Sequence, residues 1–239
     1  LKQKVAKHIE TADFILNFSG AESNNLKQIG WPDHKIVSCG YYSPPLLGSQ
    51  FKPRTPTHWR KFQVLMTGRH EWHRDPMVLL RALNILAKRG IHCKAIITQD
   101  GPLLPQMKRY SLAHGLDVDF PGFVSYKKLI DLYQKCSCFV ATGRAEPWGL
   151  RVNDALQCGS PVIVSRGMGS AKIVGDYACG LSFPRKDADV LAQQLALLIS
   201  DKERYFQFAQ SVCVAAKECL PIAKAAEIVG VIKSRFSGW

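Results

Sequence analysis

No apolar run in this chain reaches the roughly 20 residues that cross a bilayer, so no membrane-spanning helix is expected. The first ten residues, "LKQKVAKHIE", lack the basic segment and apolar core of a signal peptide; they read as amphipathic. The chain does not begin with Met, which fits a fragment or a processed chain. There is no block of about five consecutive Lys or Arg, and aromatic residues do not interleave with the basic ones, so nucleic acid is not expected as a partner. No C-x-x-C pair and no regular cysteine framework appear, although there are 8 cysteines. Cys136-x-Cys138 comes nearest to a metal motif, and no second pair completes it. Apolar settings such as "HCKAII", "CSCFVA" and "ALQCGSPVIV" fit buried, reduced thiols and a reducing, cytoplasmic setting. Internal repeats and low-complexity stretches are absent. Acidic residues are scarce: 19 Asp and Glu face 32 Lys and Arg, a net charge of +13. That surplus favours anionic partners such as nucleotides, phosphorylated lipids or acidic membrane surfaces, or serves solubility alone.

What the chain does contain is alternation. Short runs rich in Val, Ile and Phe occur at Phe14–Phe18, Ile36–Cys39, Phe62–Met66, Cys93–Thr98, Cys138–Ala141 and Val162–Val164. Between them lie segments with helical spacing: Pro76–Lys88, Tyr126–Gln134 and Val190–Ile199. Val78, Leu79, Ala82, Leu83, Leu86 and Ala87 fall on one face of the first. This order predicts an α/β fold with a doubly wound parallel sheet covered on both faces. Ser43–Arg60 holds four prolines and no periodicity, which marks a linker. The expected organisation is a short N-terminal β-α-β piece (1–43), a linker (44–60), one complete Rossmann-like domain (61–216) and a C-terminal helical segment (217–239), with an amphipathic helix past Pro221.

Ligands of such sheets bind beyond the carboxyl ends of the strands. The candidate residues there are Gly68-Arg69, Gln99–Pro102, Gly122–Val124, Gly143–Gly149 and Ser165–Gly169. In "AEPWGLRVNDALQCGSPVIVS", Glu146 and Asp154 flank a glycine where a helix is expected to begin. A helix starting near Trp148 would aim free N–H groups of Trp148, Gly149 and Leu150 at a phosphate or sugar hydroxyl, and Gly149 would let a ligand approach the backbone. Eight helical residues rise about 12 Å, enough to set one carboxylate at each end of a nucleotide-sugar. The alternative is a capping glutamate and an exposed helical aspartate. In "TGRHEWHRDP", Arg69 and Arg74 could hold a diphosphate by bidentate contacts and offset charge on a leaving group; the alternative is two surface arginines. His70 and His73 read as exposed loop residues. Gly167-Met168-Gly169 resembles half of a dinucleotide fingerprint, but Lys172 stands in place of its last glycine, so it reads as a turn lining the site.

Gly68-Arg69 with a basic Arg74, then "PGFVSYKKLIDLYQKCSCFV", then "EPWGLRVNDALQCGSPVIVS" resemble, in that order and spacing, the C-terminal, donor-binding half of a GT-B-fold retaining glycosyltransferase, family 4. The resemblance covers roughly Lys61–Pro184. A weaker likeness in Ala12–Gly40 resembles the end of the N-terminal domain. The resemblance implies that Arg69 and Arg74 bind the donor pyrophosphate, with Arg74 departing from the family's Lys. It implies that Glu146 contacts the transferred sugar and that the backbone of Gly149 and Leu150, beside Trp148, contacts sugar or phosphate. Asp154 stands where the family's second glutamate binds the ribose hydroxyls, one methylene shorter. Gly68 and the turn Gly122-Phe123-Val124 complete the donor site, the turn lying against the base. Catalytic roles fall to Arg69, Arg74 and Glu146. No metal and no cofactor are implied beyond the nucleoside-diphosphate sugar that serves as substrate.

The implied reaction is sugar transfer with retention at the anomeric carbon, in bacterial surface polysaccharide or lipopolysaccharide synthesis. The acceptor is a glycan or a lipid-linked sugar. It would approach from an N-terminal domain that is largely missing here, together with a histidine the family often places near the sugar. His8, His34 and His58 are not evident substitutes. The basic surface would suit peripheral contact with an anionic inner membrane face. Two alternatives stay open: a nucleotide-sugar 2-epimerase-like enzyme, separated by its product, and a non-catalytic nucleotide-sugar-binding module, separated by activity of a longer parent.

Overall fold

The computed structural model describes residues 9–19, 24–46 and 51–235. The central apolar runs are strands buried from both sides. In β3 (Gln63–Thr67) Val64, Leu65 and Met66 are all buried, as are all four residues of β6 (Cys138–Ala141) and of β7 (Val162–Ser165). Such continuous burial belongs to a parallel sheet covered on both faces. With β4 (Lys94–Thr98), β5 (Val118–Gly122) and β8 (Gly180–Phe183) these form a six-stranded parallel sheet in the order β5-β4-β3-β6-β7-β8. Upstream, β1 (Ile15–Asn17) and β2 (Ile36–Ser38) pair in parallel across α1 (Asn24–Gln28), the expected β-α-β piece.

On one face, α3 (Met77–Lys88) and α8 (Ala188–Ser200) bury Leu79, Leu80, Leu86, Leu191, Leu195 and Leu198 against the sheet. On the other, α5 (Tyr126–Lys135), α6 (Arg151–Gln157) and α7 (Ala171–Tyr177) bury Tyr133, Val152, Leu156 and Ile173. Between β4 and β5 runs α4 (Leu104–Ala113). The long α9 (Lys202–Glu218) contributes Tyr205 to the first cluster and Val212 to the second. It runs on to Glu218, across the boundary expected at 216. The final helix, α10 (Pro221–Arg235), returns toward the N-terminal piece, with the Arg235 guanidinium 5.7 Å from the Phe14 ring.

Within 44–60, residues 47–50 lie outside the described residues; the rest is held closely. α2 (Pro56–Arg60) starts on a capping box between Thr55 and His58, with proline in its first turn. Arg54 is 6% exposed and donates to the carbonyls of Tyr133 (2.6 Å), Gln134 (3.2 Å) and Cys158 (3.3 Å). It thereby caps the C-terminal ends of both α5 and α6, where a cation is favoured. Two strands carried weak signals. β5 reads "VDFPG", with a proline, a charged residue and a glycine, tolerable because β5 is an edge strand. β8 reads "GLSF", where Gly and Ser break up the apolar run.

β3 and β6 are neighbours, but the chain leaves β3 toward β4 and leaves β6 toward β7. Their following loops diverge and open a crevice, the topological switch point of a doubly wound sheet.

Candidate active site

The crevice is walled by the loops 67–76 and 141–151 together with Met66, Phe139 and Met168. Gly68 ends β3 with φ 140°, and Gly149 has φ 96°, backbone that side-chain-bearing residues rarely adopt. A Cβ on Gly149 would also run into the Met168 methyl.

Hydrogen bonds tie the loop after β3 to the loop after β6. Thr142 Oγ1 donates to Arg74 O (2.6 Å), and Arg144 N donates to His73 O (2.8 Å). The Arg144 guanidinium pairs with buried Asp75 at 2.9 Å, and Asp75 ends the turn Trp72–Arg74 in left-handed backbone, φ 47°. Held this way, Arg74 turns back across the crevice, and its Nη1 lies 3.2 and 3.3 Å from the two Glu146 carboxylate oxygens. Arg74 Nε is buried without a partner among the described residues.

Glu146 is fixed by backbone on both sides. Its N–H donates to Gly167 O (2.9 Å), and its carbonyl accepts from Gly169 N (3.1 Å). Ser165 Oγ braces this turn by donating to Gly143 O (2.6 Å). The turn Gly167-Met168-Gly169 thus lines the site as expected.

Several expectations need correction. α6 begins at Arg151, not near Trp148, because Glu146 is drawn into a bridge with Met168. The separation of Glu146 from Asp154 is therefore not a helical rise, and Glu146 is neither a helix cap nor a helical residue. His70 is not an exposed loop residue: it is 1% exposed. Its N–H donates to Asp100 O and its carbonyl accepts from Leu103 N, each at 3.0 Å. Burial lowers its ring pKa, so a neutral imidazole borders the crevice.

The remaining candidates divide by position. Arg69 lies at the rim, 69% exposed, with Nε 2.5 Å from Glu71. The backbone N–H groups of Gly149, Leu150 and Arg151 have no backbone acceptor among the described residues, while the Leu150 side chain points to solvent. The Trp148 side chain faces away from the crevice. It is buried against Gly40 and Tyr41 of the N-terminal segment, and its Nε1 donates to Asn153 Oδ1 (3.0 Å). Gly122 has φ 71° and accepts from Gln99 N (2.7 Å). Phe123 beyond it is 78% exposed. With Arg69, Gln99 and Arg151 it lines a second, open cleft. Val124 is half-buried and packs against the core.

Asp154 is half-buried one turn into α6 and has no hydrogen bond to its carboxylate among the described residues. Burial pushes its pKa up to about 6, against the opposing pull of Arg151. No described donor reaches this half-buried carboxylate, and hydroxyl groups of a ligand would supply what it lacks. Arg151 itself went unnoticed in the sequence. The signal was its spacing from Asp154, since residues three apart share a helix edge. Thr142 and the Arg144–Asp75 pair had no sequence signal.

Among the described residues no group of three or more His, Cys, Asp or Glu side chains could hold a metal ion, and no helix is long and apolar enough to cross a membrane. The described cysteines are unpaired.

Residues 50–212 match the family described as "Glycosyl transferases group 1". A Mycobacterium tuberculosis protein described as a GDP-mannose-dependent alpha-(1-6)-phosphatidylinositol dimannoside mannosyltransferase is 28% identical over 158 residues, 64% of this chain and 40% of that protein. Alpha-D-kanosaminyltransferase of Streptomyces kanamyceticus is 24% identical over 163 residues, 67% of this chain and 41% of its own. The chain thus spans about 40% of the length of these curated relatives. Among solved structures, Anabaena Alr3699/HepE in complex with UDP superposes with a TM-score of 0.77 at 18% identity, covering 96% of this chain and 66% of that one. The apo lipopolysaccharide outer core galactosyltransferase WaaB gives a TM-score of 0.77 at 16% identity, covering 98% and 65%. The fold is the Rossmann-like α/β architecture of GT-B glycosyltransferases.

Proposed function

The chain belongs to the group 1 glycosyl transferases, and from that premise we propose that it is the donor-binding portion of a retaining transferase that uses a nucleoside-diphosphate sugar. The observation that carries this reading is the Arg74–Glu146 pair, 3.2 Å apart at the switch point, with Gly68 and Gly149 contributing backbone without side chains to the crevice lining. Arg74 and Arg69 bind the diphosphate and offset the negative charge that grows on it as the sugar departs. Glu146 trades part of its bond to Arg74 for hydroxyl groups of the transferred sugar. Asp154 accepts from the ribose hydroxyls, and the turn Gly122-Phe123-Val124 lies along the base.

The acceptor, a glycan or lipid-linked sugar, meets the anomeric carbon from across the crevice, and the new bond forms with retention. No metal or other cofactor takes part. A role in bacterial surface polysaccharide or lipopolysaccharide synthesis suits the family. The net charge of +13 suits peripheral docking at an anionic inner membrane face, and the unpaired cysteines suit the cytoplasmic side.

The test is calorimetric titration of the chain with UDP, GDP, ADP and CDP, repeated on Asp154→Ala. Binding selective for one base and lost in the variant supports the reading and names the donor class. Binding of none of the four removes it.

A further inference from the structure

Two guanidinium groups converge over Gly68. A Cβ placed on that glycine would sit 3.3 Å from Arg151 Nη1 and 3.8 Å from Arg74 Nη1. Two cations reaching one point repel each other, and the crevice answers them unequally. Arg74 has Glu146. Arg151 has no salt bridge among the described residues; its hydrogen bond goes to the neutral Gln99 amide oxygen at 3.4 Å. Asp154, on the same helix, feels its charge without touching it.

The position of Arg151 is also electrostatically unfavourable. It is the first residue of α6, where the helix dipole opposes a cation. Gln99, which orients it, is held in left-handed backbone, φ 77°, a conformation uncommon and costly for a residue other than glycine. An arginine kept against the dipole and steered by a strained glutamine gains when an anion arrives. Arg151 further borders both clefts, the one holding Glu146 and the one under Phe123. It stands where the phosphates of a ligand spanning the two would pass.

Resting on the nucleotide-sugar reading, we propose that Arg151 is a diphosphate-binding residue, paired with Arg74 across Gly68, and that it sets the preference of the site for a diphosphate over a monophosphate. Its planar fork can bridge two phosphate oxygens, which a lysine ammonium cannot do in the same way.

The experiment is titration of the full chain, its Arg151→Gln and Arg151→Lys variants, and Arg74→Gln with UDP, GDP, UMP and GMP at one fixed salt concentration. The expected result is a loss of roughly 10- to 100-fold in diphosphate affinity for Arg151→Gln, the scale of hydrogen bonds to a charged group. Monophosphate affinity changes little, and Arg151→Lys falls between. An equal loss for mono- and diphosphates overturns the proposal, since it marks a general disturbance of the site. Unchanged diphosphate affinity in Arg151→Gln, with a loss in Arg74→Gln, overturns it while the nucleotide reading stands. Failure of the unmodified chain to bind any of the four overturns both.

Discussion

Asp154 trades stability for an unsatisfied acceptor. Its carboxyl titrates near 6 in the fold against an ordinary 3.8. A raised folded-state pKa favours the fold fully below about 4, and that contribution is lost as pH rises through about 6. Asp154→Asn is therefore expected to stabilise the chain by about 2 kcal/mol at neutral pH and to leave it unchanged near pH 4, measured by thermal melts at both pH values. The same change should abolish nucleotide binding. In the unmodified chain, ligand hydroxyls favour the ionised carboxylate, so affinity should climb as pH rises through about 6 and binding there should release protons. A flat affinity profile across that window would count against a ribose role. Glu146 makes a different trade. Glu146→Gln removes the charge facing Arg74 while keeping shape, so UDP or GDP should bind as well or better. Transfer by the longer protein should fall about 100-fold, the scale of losing one transition-state contact. A parallel loss of nucleotide affinity would instead make Glu146 a nucleotide ligand.

At the scale of elements, Arg54 joins what the chain separates. Three carbonyls at the ends of α5 and α6 share its guanidinium. Arg54→Leu leaves them without that donor in the interior and should cost about 3 kcal/mol, a fall of roughly 10 °C in melting temperature for a chain of this size. Calorimetric melting tests it, and a drop of only a degree or two would show that the helix ends find other donors. The loop between β6 and α6 is the other stressed element. Gly149→Ala forces a side chain into φ 96° against Met168. It is expected to weaken nucleotide binding at least tenfold while the melting temperature falls by less, because the strain falls on a loop at the crevice rather than on a strand.

At the scale of the whole molecule, α6 faces two ways. Toward the crevice it carries Arg151. Away from it, Asn153 donates to Tyr41 O (3.0 Å) and accepts from Trp148, while Gln157 donates to Ser43 Oγ (2.8 Å). The segment leading in from the N-terminal β-α-β piece is thereby locked to the back of the donor loop. Asn153→Ala strips partners from a buried network and should lower stability by about 2 kcal/mol, read by denaturant titration together with a shift in Trp148 fluorescence. The surface charge predicts a second behaviour. The chain should sediment with vesicles containing anionic lipid at low salt and be released at high salt, where the screening length shrinks. Indifference to lipid charge would leave solubility as the purpose of the basic surface.

The chain's own residues were enough to set the β-α alternation, because parallel strands buried on both faces need continuous apolar runs and the helices between them need one apolar stripe. They also pointed to the crevice at the switch point, since glycines gather where loops leave the strands. Glu146, Arg74 and Gly149 do meet there. Only the tertiary structure decided which groups face one another. The Arg74–Glu146 bond joins residues 72 positions apart, and its geometry comes from Thr142, Asp75 and Met168, whose roles depend on loops that no local pattern brings together. Trp148 turning from the crevice, His70 being buried and Arg151 entering the crevice follow from the same cause. Periodicity reports which side of an element is apolar; it does not report what lies opposite. Asp154 shows the limit most plainly: its place on α6 was readable, but the burial that makes it an unsatisfied acceptor was created by the packing of α5 and α9 around it.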